Sequence, residues 1–123
     1  MPSYIPELGK TIPVKEPIAI FAPFWRTNST SWVYILSYSA KESGRYVISG
    51  FAFTESSANP CYVEILIGGY VVTSITTYQT TPQIFSIYPQ YVEENQLIEV
   101  RVRSSSSSYY VNCGSILVTR ISE

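Results

Sequence analysis

The 123-residue chain has no histidine and no aspartate, and all nine of its acids are glutamates. Without His there is no ordinary Ser-His-Asp or Cys-His nucleophile system and no imidazole metal ligand. Without Asp a calcium loop loses its commonest ligand, so no metal and no other cofactor is expected. Two glutamates could serve a glycosidase, and Glu64 and Glu99 are the candidates in principle. Both fall on alternating positions of strand-like runs, where a charge ordinarily marks the solvated face. No catalytic residue is therefore assigned, and the chain is read as non-enzymatic.

Charge is scarce too, at 14% of residues against roughly a quarter in an average soluble protein. The eight Lys and Arg are spread along the chain and the formal net charge is -1, so no basic stripe can follow a phosphate backbone and nucleic acid is excluded as a partner. No apolar run approaches the length of about 18 residues that a membrane-spanning helix needs, so no membrane insertion is expected. The opening "MPSYIPELGKTIPVKEP" lacks the apolar core of a secretory signal peptide. Cysteine is limited to Cys61 and Cys113, enough for one disulfide and too few for a metal cluster. Pairing would close a loop of about 50 residues, worth roughly 4 kcal/mol in the chain-entropy model. Two separate buried thiols is the other reading, and the residues leave both open.

Aromatics, in contrast, reach 15%, with 11 tyrosines. A surface short of charge is covered by Ser, Thr and Tyr, and such surfaces pack against other proteins or sugars. The first 17 residues carry Pro2, Pro6, Pro13 and Pro17, which exclude a helix and favour an extended, polyproline-like arm. From residue 18 onward, runs of period two alternate with turn residues almost to the end. "AIFAPFW" is a short first strand interrupted by Pro23, which suits an edge or a bulge. "TSWVYILSYS" places Trp32, Tyr34, Leu36 and Tyr38 on one face, and "GRYVISGFAFT" groups Val47, Phe51 and Phe53 around a bend at Gly50. "CYVEILI" alternates Val63, Ile65 and Ile67 against Tyr62, Glu64 and Leu66. The pair Gly68 and Gly69 then supplies the positive φ angles of a two-residue hairpin turn, and "YVVTSITT" returns. "PQIFSIYPQYV" is a strand ended near Pro89, and "NQLIEVRVR" turns Ile98, Val100 and Val102 inward and Glu99, Arg101 and Arg103 outward. The pentaserine Ser104 to Ser108 is a flexible loop, and "YYVNCGSILVTRIS" is a strand pair or one long bulged strand with Ile116 and Val118 buried. About eight strands with no helical spacing make an all-β, antiparallel β-sandwich of jelly-roll type over residues 18–123, preceded by the arm at 1–17.

The stretch "STSWVYILSYSAKESGRYVISGFAF" with "VEILIGGYVVTS" resembles small jelly-roll modules of phage and archaeal virus particles, namely capsid, decoration and tail or fibre proteins. The resemblance implies a virion or extracellular particle as the location and a homo-oligomer, with other particle proteins as neighbours. The brick would be the sandwich, and the arm would add a strand to the next molecule. Pro6, Pro13, Pro17, Trp25, Tyr88, Tyr91, Tyr109 and Tyr110 are the residues expected to carry subunit contact. The same aromatics, with Trp32 and Tyr78, serve the alternative reading, a carbohydrate- or receptor-binding module, in which they form a platform for a glycan. Carbohydrate-binding jelly rolls look similar over this span but usually carry Asn-Gly where this chain has Gly68 and Gly69, and that departure, with the lack of Asp for a structural calcium, ranks the glycan reading second. Asn28 opens the sequon "NST", which matters if the chain meets a glycosylating compartment.

Overall fold

The structure is a computed structural model that describes residues 24–123. The Pro-rich arm with Pro6, Pro13 and Pro17, and most of the expected first strand, lie outside the described residues. Within them the alternating runs become nine strands and no helix: β1 (Trp25–Thr27), β2 (Val33–Ser39), β3 (Gly44–Thr54), β4 (Cys61–Ile67), β5 (Tyr70–Thr77), β6 (Gln83–Ser86), β7 (Gln90–Val92), β8 (Leu97–Ser104) and β9 (Val111–Ser122). They form two antiparallel sheets, one ordered β1-β9-β3-β6 with β7 also pairing β3, the other ordered β2-β8-β4-β5. The fold is an all-β sandwich of the jelly-roll kind, as the alternation predicts.

The buried positions of the two sheets interdigitate. Tyr46, Ile48 and Ala52 of β3 and Ile116 and Val118 of β9 close on Val63 and Ile65 of β4 and Ile98, Val100 and Val102 of β8. Cys61 and Cys113 belong to this core, one on each sheet, and both are free thiols. Burial pushes the Cys61 thiol up to about 12, and burial with the Cys61 sulfur nearby raises Cys113 as well.

Three local devices shape the frame. The hairpin β4–β5 turns on Gly68 (φ 60°) and Gly69 (φ 85°), the left-handed pair that a two-residue turn demands. In β2 the register against β8 slips between Tyr34 and Leu36, so Ile35 is an extra residue. The bulge resets the alternation, which would otherwise keep Tyr34 and Leu36 on one face: Tyr34 points out, while Leu36 is buried. In β9 a second bulge sets Ser115 and Ile116 against the single residue Gly50, with Ser115 at φ 50°. A Cβ on Gly50 would stand 2.6 Å from the Ile116 side chain and 2.9 Å from the Phe85 ring, so any larger residue there must displace both.

The two crossings between sheets at one end of the sandwich are built alike. The buried Thr54 hydroxyl lies 3.1 Å from the Ser56 carbonyl and 2.5 Å from the Asn59 carbonyl, and accepts the Ser56 N–H at 3.2 Å. The buried Ser104 hydroxyl repeats the pattern with the carbonyls of Ser106 (2.7 Å) and Tyr109 (2.8 Å) and the N–H of Ser106 (3.2 Å). The pentaserine is therefore a turn closed by its own first hydroxyl rather than a loose loop, since short hydroxyl side chains bond readily to backbone two residues on.

Candidate functional site

Strand alternation sends every second residue of the β2-β8-β4-β5 sheet to solvent, and the register then sets these residues side by side in rows across the strands. The middle row runs Tyr34, Arg101, Glu64, Ser74, one residue from each of the four strands. It is hydrogen-bonded along its whole length. Arg101 donates through Nη1 to the Tyr34 hydroxyl at 3.0 Å and through Nε to Glu64 Oε1 at 3.0 Å, and the Ser74 hydroxyl donates to Glu64 Oε2 at 3.2 Å. The next row holds Arg103, Tyr62 and Thr76, with Trp32 packed over it from the segment before β2.

Planar groups interleave on this face. The Arg101 guanidinium lies 4.5 Å from the Trp32 ring and 5.8 Å from Tyr34, while Arg103 lies 4.2 Å from Tyr62 and 5.2 Å from Trp32. Each such contact is worth roughly 0.5–1 kcal/mol at an exposed site. Their joint effect is to fix long side chains that would otherwise lose rotamer freedom on binding. The result is a pre-ordered surface in which aromatic rings alternate with hydrogen-bond donors and one carboxylate. Sugar rings ask for this combination: flat apolar area for their C–H faces and fixed polar groups for their hydroxyls. Glu64, one of the two glutamates considered for glycosidic chemistry, is held by Arg101 and Ser74, and Glu99 stands beside Leu66 in the adjoining row. Among the described residues no group of three or more His, Cys, Asp or Glu could hold a metal ion.

Of the aromatics singled out from the sequence, Trp32 lies on this face and Tyr78 directly follows β5, while the fold places the others elsewhere. Trp25, 46% exposed, sits at the start of β1 on the edge of the five-stranded sheet. Tyr109 and Tyr110 are in the β8–β9 crossing, where the Tyr110 ring carries the Arg26 guanidinium at 3.7 Å. Asn28 is near them, and its side-chain amide donates to the Ser107 carbonyl at 2.9 Å. In the same region Arg26 clasps Glu55 at 2.6 and 2.8 Å, and Asn112 donates to that carboxylate at 2.9 Å. These bonds, Arg26 first and Asn112 second, hold the Glu55 carboxyl at about 2. Tyr88 and Tyr91 lie on the far edge of the five-stranded sheet, flanking Pro89 beside the first half of β3. What sequence reading missed was the rest of the platform around Trp32. Its signal was the outward alternation of "CYVEILI" and "NQLIEVRVR", both correctly phased, but the pairing that sets Arg101 beside Glu64 and Arg103 beside Tyr62 joins strands remote in sequence.

No family model matches the sequence, and no curated protein matches it. Solved structures do resemble the fold. The CBM36-1 domain of a multidomain xylanase from the hindgut metagenome of Trinervitermes trinervoides aligns with a TM-score of 0.58 at 18% identity, covering 80% of this chain and 77% of that one. The module TmCBM61, in complex with beta-1,4-galactotriose, aligns at 0.57 and 12% identity over 80% of this chain and 69% of that one. A family 35 carbohydrate binding module from Clostridium thermocellum aligns at 0.52 and 15% identity, covering 85% and 97%. At these identities the likeness is one of fold. All three are binding modules, and none is a virus-particle protein.

This overturns the expected self-assembling virion subunit, together with its capsid and particle associations, in favour of the alternative. A homo-oligomer has no support among these findings. Of the two grounds for that ranking, the departure at Gly68 and Gly69 carried no functional information, since Gly-Gly and Asn-Gly both supply two positive φ angles, and the lack of Asp bears on a calcium site rather than on this face.

Proposed function

We propose that this chain is a non-catalytic carbohydrate-binding module whose ligand lies across the outer face of the β2-β8-β4-β5 sheet. The observation that carries the reading is the hydrogen-bonded row Tyr34, Arg101, Glu64, Ser74 flanked by Trp32 and Tyr62, a rigid array of rings and polar groups open to solvent. The likeness of fold to carbohydrate-binding modules, one of them complexed with a galactotriose, supports it. Trp32 supplies the largest ring of the array, and Arg101 and Glu64 supply directed donors and acceptors.

The test is isothermal titration of the protein with a panel of soluble β-linked oligosaccharides and polysaccharides. Truncating a Trp or Arg at the centre of a binding face typically costs 2 kcal/mol or more, about 30-fold in affinity. Trp32→Ala should therefore weaken binding about 30-fold or abolish it while the melting temperature shows a folded protein. Tyr88→Ala, on the far edge of the other sheet, should leave it unchanged. The reverse pattern would place the ligand elsewhere and refute this face as the site.

A further inference from the structure

We infer that the platform selects acidic glycans, through Arg103, which receives an anionic substituent of a sugar, either a uronate carboxylate or a sulfate ester. The inference rests on the carbohydrate-binding reading and deepens it. Three arginines in the described residues are held by acceptors: Arg26 by Glu55, Arg101 by Glu64, and Arg120 by the Ser43 carbonyl and Glu42. Arg103 is different. It makes no hydrogen bond and no ion pair among the described residues, yet it is half-buried, with its guanidinium 4.2 Å from the Tyr62 ring and 5.2 Å from Trp32. Lys41 and Arg45, in contrast, are exposed.

Among the described residues no carboxylate bonds or pairs with Arg103. Its cross-strand neighbour is Tyr62, and Thr76 follows in the same row. The carboxylate of the adjoining row, Glu64, is already engaged by Arg101 and Ser74. A guanidinium has five N–H donors in a planar fork and no acceptor. Stacking against the two rings restrains that plane without using a single donor, so the fork is pre-oriented and unspent. A guanidinium matches a carboxylate or a sulfate-type anion with two parallel hydrogen bonds, and charge-assisted bonds of that kind are about twice as strong as neutral ones. A neutral sugar hydroxyl can satisfy one donor and leaves the charge uncompensated. The platform therefore presents one compensated cation, Arg101, and beside it one cation awaiting an anion, with aromatic area for the ring that bears it.

The experiment compares three ligands of matched length by titration calorimetry on the whole chain: an oligogalacturonate, the neutral galacto-oligosaccharide in which each carboxylate is a hydroxymethyl group, and a sulfated galacto-oligosaccharide. The expected result is at least tenfold tighter binding of one or both acidic ligands over the neutral one, falling with added salt. Which of the two binds tighter identifies carboxylate or sulfate as the recognised group. In Arg103→Gln the ratio of acidic to neutral affinity should collapse towards one, and in Arg103→Lys, which keeps the charge but not the fork, it should be intermediate. Equal or tighter binding of the neutral ligand by the unmodified protein, or an acidic preference that survives Arg103→Gln, overturns the inference while the carbohydrate-binding reading stands. Binding of none of the three, nor of the wider panel, refutes that reading and this one with it.

Discussion

Thr54 and Ser104 show how much a single hydroxyl can organise. Each is fully buried, and each bonds backbone groups two and five residues further on in a chain crossing from one sheet to the other. Removing the Ser104 oxygen takes a partner from the Tyr109 carbonyl and the Ser106 N–H, while the Ser106 carbonyl keeps the Tyr109 N–H at 3.2 Å, and a polar group left unsatisfied beside the core costs about 1–3 kcal/mol. Ser104→Ala should lower the melting temperature by roughly 4–10 °C, whereas Ser107→Ala, on the exposed side of the same turn, should change it little. Differential scanning calorimetry of the two variants checks this. Neither hydroxyl could be picked out by composition, since a serine run reads as low complexity until the partner carbonyls are placed around one of its members.

At the scale of elements, the short strand β1 depends on side chains more than on its ladder. It pairs β9 over three residues only, and the Arg26–Glu55 clasp with Asn112 fastens it to the β3–β4 crossing and to β9. Glu55 titrates at about 2 in the folded protein against an ordinary value of 4.5. Its contribution is therefore complete above about pH 4.5 and is lost as the pH falls from there through 2. Glu55→Gln should destabilise the protein at neutral pH and flatten the acid limb of its stability curve between those values, as urea unfolding at a series of pH values would show. The succession of strands along the chain was legible because β8 alternates strictly and β4 and β9 alternate over most of their length, with Val63, Val100 and Val118 all fully buried as phased, whereas the order of strands within the sheets was not. The failure came at β2. One extra residue, Ile35, inverts the outward set, and nothing in "TSWVYILSYS" marks a bulge that exists only because β8 opposes it. The candidate site was illegible for the same reason: its rows are products of register, while loop-edge position had favoured Trp25, Tyr88 and Tyr91.

As a whole, the molecule carries two unlike outer surfaces around one core. The four-stranded sheet presents charges and rings in mutual contact, while the five-stranded sheet presents Phe24, Phe51 and Phe53 clustered at centroid distances of 6.0–6.3 Å, with Ile84 and Leu117 beside them. Between the sheets lie Cys61 and Cys113, reachable only when the sheets part. Both thiols have raised pKa values, Cys61 at about 12, so neither is a thiolate at neutral pH. Reaction with a thiol reagent at pH 8 should accordingly proceed at the rate of global opening, accelerate together at the two sites in urea, and give two labels per chain only in the unfolded protein. Unequal, fast labelling of one cysteine in the native state would contradict this. The row Tyr34, Arg101, Glu64, Ser74 runs perpendicular to the strands and ends at both sheet edges, so its extent is three inter-strand spacings, about 14 Å. With a glycan laid across it as proposed, a surface of that kind acts as a ruler: affinity should climb with each sugar added to a short oligosaccharide and stop climbing once the chain is longer than the sheet is wide.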